Sequence, residues 1–170
     1  DQPRSRGLGD VYKRQLFSRV VYGARQSLLG ALIAVAVGLV LGTLIGLIAG
    51  TQRGWVDTVL MRLVDVLLAI PGILLSLSII IVTGFGSLQA AFAVGMTSVA
   101  TFARLARSQV IQIAGADYVE AAYGSGATQA QVLLRHVLPN SLTPVLALAA
   151  LQFGTAILQL SILGLSLIHI

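Results

Sequence analysis

Residues 28–50, LLGALIAVAVGLVLGTLIGLIAG, form a run of 23 residues without a single charge. That length crosses the roughly 30 Å hydrocarbon core of a bilayer as one helix. In hydrocarbon every backbone N–H and C=O must be satisfied within the segment, so the run can be little else than a spanning helix. The rest of the chain obeys the same solvent. Only 10% of its 170 residues are charged, against about 25% in soluble domains, and 56% are hydrophobic. Glycine recurs within the run at Gly38, Gly42, Gly46 and Gly50, with Ala34 and Gly30 continuing the series upstream. Such a stripe of bare backbone predicts close approach by a second helix, because lipid gives helices no hydrophobic reason to associate.

Further apolar segments follow. A second span is expected over 63–83, kinked at Pro71 and Gly72, after a short polar connection at 51–62 in which Trp55 suits an interface and Arg62 can meet Asp65 at i+3. Asp65 lies near the start of that span, where it reaches water as a solvated helix end. Glycines at 84 and 86 predict a turn into a third span over 88–105, ended by Arg104 and Arg107. Thr97, Ser98 and Thr101 within it either bond back to their own helix or line a polar passage. A fourth span covers 142–165. There Gln152, Thr155 and Gln159, at i, i+3 and i+7, share a face that should meet protein or water.

The longest polar interruption is 117–140, DYVEAAYGSGATQAQVLLRHVLPN. Asp117 and Glu120 read as a capping-box-like helix start, Gly124 and Gly126 allow a turn, and Thr128 with Gln131 repeats the capping pattern. Pro139 ends the second short helix or bends its entry into the last span. Asp117 and Glu120 also have the chemistry for acid/base work, but beside loop glycines capping is the better reading. No G-x-x-x-x-G-K-[ST] phosphate loop is present, so the chain is not expected to hydrolyse nucleotide. Neither a G-x-S-x-G nucleophile nor a metal-ligand spacing appears: His136 and His169 stand far apart, without acidic or cysteine companions. There is no Cys. The formal charge of +5 comes from ten Arg scattered at the ends of apolar runs and one Lys, which fits membrane-surface charge and not a nucleic-acid face.

Glu120-Ala121-Ala122, then Gly126 four residues after Ala122, then Leu138-Pro139, resemble the EAA loop of the inner-membrane permease subunits of bacterial ABC importers. Arg135-His136-Val137-Leu138-Pro139-Asn140, with His136 where the general pattern has an aliphatic residue, resembles the dipeptide/oligopeptide branch. Arg19, Tyr22-Gly23-Ala24-Arg25, Gly54-Trp55-Val56-Asp57, Met61-Arg62-Leu63-Val64-Asp65 and Pro71 follow that branch in the same order. The resemblance covers about residues 16–165.

It implies an all-α, polytopic transmembrane helical bundle of the MetI-like type, with four spans present of an expected six, in a bacterial or archaeal cell membrane. Residues 16–165 then form the permease domain, with the EAA loop at 117–140. The ends, 1–15 and 166–170, do not resemble the family and are expected to be foreign to the gene, so His169 carries no functional weight. By resemblance Glu120, Ala121, Ala122 and Gly126 dock on and couple to a separate ATP-binding subunit, while Leu138 and Pro139 set the exit into the membrane. The expected cargo is peptides or related small solutes such as nickel chelates. Further partners are a second permease subunit, usually a paralogue, and an extracytoplasmic solute-binding protein, with no cofactor and no nucleic acid. Thr97, Ser98, Thr101, Gln152, Thr155 and Gln159 are the candidates for the passage.

Charge sets the orientation. Arg53, Arg62, Arg104, Arg107 and Arg135 fall on one side; Arg19 and Arg25 fall on the other, joined by Arg4, Arg6, Lys13 and Arg14 if the first fifteen residues count. Without those fifteen, the positive-inside rule puts 117–140 in the cytoplasm. Two other classes fit the composition: a stand-alone channel or secondary transporter, which tends to carry ionisable residues mid-span, and a small membrane scaffold whose polar loop recruits another protein. Co-purification with an ATPase separates the first reading from both.

Overall fold

The computed structural model describes residues 4–168, with side chains from 12 to 165. His169 and the outermost end residues lie outside the described residues. Among the described residues seven helices follow in order: α1 (Arg4–Gln52), α2 (Gly54–Ala69), α3 (Gly72–Thr83), α4 (Ser87–Ala114), α5 (Asp117–Gly124), α6 (Gln129–Val132) and α7 (Leu138–Ile168), with a π-helical turn at Leu133–Val137. Tyr12–Gln52, Ser87–Ala114 and Gln129–Leu165 are each long and apolar enough to cross a membrane. A broken pair, α2 and α3, is the fourth candidate.

The glycine stripe decides how the long helices meet. A Cβ on Gly38 would lie 2.8 Å from Ser98 Cβ; on Gly42, 2.5 Å from Phe102 Cβ and Val99 O; on Gly46, 2.4 Å from Ala103 O; on Gly50, 2.7 Å from Val110 Cγ1. The contacts advance by about one turn on each helix, so α1 and α4 run parallel. Gly95 returns the relation, its missing Cβ leaving room for Ala34 O. Helix α7 runs the other way, with Leu160 against Gly30. Around these seams Ala31, Ala34, Val94, Phe102, Val145, Ala156 and Leu163 are buried in one core, whereas Leu44, Val82, Leu151 and Leu158 are exposed, as a lipid solvent permits.

Three expectations are corrected. The connection at 51–62 shrinks to one residue: Arg53 (φ 47°) and Gly54 (φ 65°) make the corner, and α2 begins at once. The second span is not kinked but broken, with α2 and α3 meeting at 96°. Pro71 supplies no N–H and drives Ile70 into extended backbone (φ −89°, ψ 127°), which stops α2 outright. The third span does not end at Arg104 and Arg107, because both are neutralised on the neighbouring helix. Arg107 grips Asp57 at 2.5 and 2.6 Å, and Arg104 meets Asp65 at 2.7 Å. Asp65 is thus paired across helices and not with Arg62.

The two ion pairs differ in weight. Asp57 keeps 14% and Arg107 33% side-chain exposure, while Asp65 and Arg104 keep about half. Breaking the two-pronged pair leaves a carboxylate largely unsolvated, so Arg107→Ala is expected to cost roughly 1.5–3 kcal/mol. The exposed pair is worth less than about 1 kcal/mol. Thermal unfolding of the detergent-solubilised full-length subunit should show a clear drop for Arg107→Ala and little change for Arg104→Ala. Equal shifts would contradict the ranking.

Candidate functional site

The polar stretch folds into α5, a turn, α6 and the π turn, closing one end of the bundle. Helix α5 starts on Ala116, whose carbonyl accepts from Val119 N at 2.9 Å. No side chain caps it, so Asp117 and Glu120 do not form the expected box. Asp117 lies one residue inside the helix, and both acids occupy the first turn, where the N-terminal dipole favours them. Val119 is buried and Ala122 half-buried, packed with Val110, Val132, Val137, Ile113 and Leu47. The opposite face, Asp117, Glu120, Ala121 and Gly124 at i, i+3, i+4 and i+7, is exposed.

The exit from α5 is a Schellman cap. Gly126 N donates to Tyr123 O at 3.0 Å and Ala127 N to Ala122 O at 3.1 Å, with Gly126 at φ 91°. Ala127 and Ala122 both pack on the same apolar cluster, which completes the motif. Gly124, by contrast, is the last helical residue and carries no positive φ. Thr128 and Gln131 form a full capping box: Thr128 N donates to Gln131 Oε1 at 2.9 Å and Gln131 N to Thr128 Oγ1 at 3.4 Å.

Pro139 neither ends nor breaks the helix that it enters. In an α-turn its ring would strike the carbonyl four residues back. The backbone widens instead to a π turn, with Leu138 N donating to Leu133 O, and α7 continues through both Pro139 and Pro144. Leu138 is half-buried and Pro139 exposed.

The residues singled out for a passage are dispersed. Thr97 Oγ1 donates to Val94 O at 2.7 Å and Ser98 Oγ to the same carbonyl at 3.5 Å, so both bond back to their helix. Thr155 is exposed and bonds back to Leu151 O, while Gln152 is half-buried. Thr101 joins Leu68, Arg104, Ser108 and Leu148 around a shallow hollow. One convergence stands out: a Cβ on Gly72 would lie 3.7 Å from Gln159 Nε2 and 3.8 Å from Thr97 Cβ, so residues of α4 and α7 meet at the break between α2 and α3.

Sequence reasoning missed the pairing of Asp57 with Arg107, and at Pro71 it expected a kink where the chain breaks by 96°. The first needed tertiary information: α2 and α4 carry two acids and three arginines, and Arg62 stood as near to Asp65 in sequence as any partner, so only the lie of α2 along α4 selects the pairs.

The family model described as "Binding-protein-dependent transport system inner membrane component" matches residues 42–167. The chain belongs to that family. The permease is 41% identical over 155 residues to a dipeptide transport system permease protein, DppC, of Alkalihalophilus pseudofirmus, covering 91% of this chain and 51% of that one. It is 38% identical over 159 residues to a glutathione transport system permease protein, GsiD, of Pectobacterium atrosepticum, covering 92% and 53%. GsiD of Escherichia coli O157:H7 is 40% identical over 159 residues, covering 92% and 52%. The chain therefore spans about half the length of these curated relatives. The crystal structure of an amino acid ABC transporter with histidines matches with a TM-score of 0.64 at 20% identity, covering 88% of this chain and 75% of that one, and so shares the MetI-like fold. The chain is a multi-pass membrane protein, an inner membrane component of the binding-protein-dependent family.

Proposed function

We propose that the permease forms, with a second permease subunit, the membrane passage of an importer for short peptides, and that α5 couples this passage to a separate ATP-binding subunit. Relatives named for dipeptides and for glutathione support a small peptide cargo. Other small solutes of the same branch, nickel chelates among them, are the alternative cargo. An extracytoplasmic binding protein delivers it, as the family's description implies.

The observation that carries the coupling role is the two-sidedness of α5. Its inner face is sealed on α4 and α6 by Val119 and Ala122, which keeps it rigid, while its outer face offers Glu120 and the small Ala121 to a partner. A rigid, exposed knob suits docking. Ala122 belongs to the seal, and Ala121 is the alanine at the docking surface. ATP binding brings the paired ATPases together, and the two knobs, moving with them, rock the spans between inward- and outward-facing states. Gln159, Thr97 and the break at Gly72 mark where the cargo meets polar groups.

In the full-length transporter, a single cysteine in place of Ala121 should react with a membrane-impermeant maleimide only from the cytoplasmic side and cross-link to the ATP-binding subunit. Labelling from the outer side would overturn the coupling role, whatever the cargo.

A further inference from the structure

Tyr118 faces away from the apolar seal of α5 and reaches the foot of α7. Its ring meets that of His136 edge-on, with centroids 6.2 Å apart and planes at 60°. Its hydroxyl accepts from Asn140 Nδ2 at 3.5 Å, and the same Nδ2 donates to His136 O at 2.8 Å. Three residues from three elements thus close on one another: Tyr118 from α5, His136 from the π turn and Asn140 from the first turn of α7.

We infer that Tyr118, His136 and Asn140 form a clasp that ties α5 to α7, and that they are positioning residues for the passage of force from the docked ATPase to that span. This rests on the coupling role proposed for α5. The physical need follows from the packing. The apolar cluster under α5 draws on α1, α4, α6 and the π turn at Val137, and none of its members lies on α7; between α6 and α7 the chain passes through that π turn, a wide geometry used in single turns. Pro139 and Pro144 each remove another backbone donor from the foot of α7. A push on α5 passed only along the backbone would be absorbed at that soft turn. The clasp bypasses it, because Tyr118 holds a side chain within the turn and one just beyond it, and Asn140 ties those two together across the turn's end.

The test uses the complete transporter in proteoliposomes, with ATP hydrolysis and uptake of a labelled dipeptide measured together. His136→Ala and Tyr118→Ala are expected to lower uptake per ATP hydrolysed by roughly three- to tenfold, the range of an aromatic edge contact expressed as an equilibrium constant. Cross-linking of a cysteine at position 121 to the ATPase should stay at the wild-type level. Tyr118→Phe retains the ring contact and should restore most of the coupling, which a general packing defect would not allow. If the cross-link persists and uptake per ATP is unchanged in both alanine variants, the clasp is overturned while docking stands. If the cross-link is absent even with Tyr118 and His136 in place, docking itself fails. Should either alanine variant not assemble, Asn140→Ala, on the exposed side of α7, is expected to show a smaller loss of the same kind, and wild-type coupling there would count against the clasp.

Discussion

Gly46→Leu is expected to abolish accumulation of the folded subunit, and Gly46→Ala alone to destabilise it by about 1–3 kcal/mol. The atoms in the way are Ala103 O, Ala106 Cβ and Arg107 N, at 2.4, 2.6 and 2.8 Å from the added carbon, two of them backbone. Backbone cannot rotate aside, so relief requires α1 and α4 to separate. Separation also strains the neighbouring contacts at Gly42 and Gly50, which share the same two helices. Gly154→Ala is the control, since nothing lies within 4 Å of its position. Protease resistance and thermal unfolding of the solubilised subunit should separate the two sites. A Gly46→Ala protein as stable as the Gly154→Ala protein would show that the helices do not meet at this seam.

The second large effect is functional. Gly126→Val should leave membrane insertion intact yet reduce transport by about tenfold or more, because a β-branched residue at φ 91° costs upwards of roughly 1–2 kcal/mol and the Schellman cap must give way. Losing the cap releases Ala127 from Ala122 and lets α5 swing on its bed of Val110, Val132 and Val137. A knob free to swing docks without pushing. Basal ATPase activity of the assembled transporter should therefore persist while uptake falls, and Gly126→Asn, which tolerates positive φ better, should lose less. Equal uptake in the valine and asparagine variants would sink this account.

How far such details could be read from the residues varied with the reach of the interaction. Local signals worked where they are complete within a few positions: Thr128 and Gln131 contain both halves of their capping box, and Gly126 carries the backbone freedom that the exit of α5 uses. Asp117 misled by one residue, because the extended Ala116 already supplies the carbonyl that starts the helix, and a side-chain cap is optional where backbone suffices. The fourfold glycine period announced a close approach without naming the partner, since α4 owes its match to Gly95, Val99, Ala103 and Ala106, far along the chain. The bend at Pro71 was underestimated for a related reason. Proline fixes where a helix yields, but the angle of 96° is set by what surrounds both halves. Pairing of Asp57 with Arg107 likewise depends on how α2 lies along α4, which no local pattern encodes.

The parallel contact of α1 with α4 has a bearing on biogenesis. Ribosomes deliver α1 first, and the surface that fits its notches arrives only after the intervening pair has been synthesised and laid into the bilayer. Until then the notched face of α1 is open to acyl chains and to any other small-residue helix in the vicinity. Correct insertion thus depends on a wait, and whatever shields that face in the interim, whether lipid or an insertion factor, guards the subunit against pairing with the wrong neighbour.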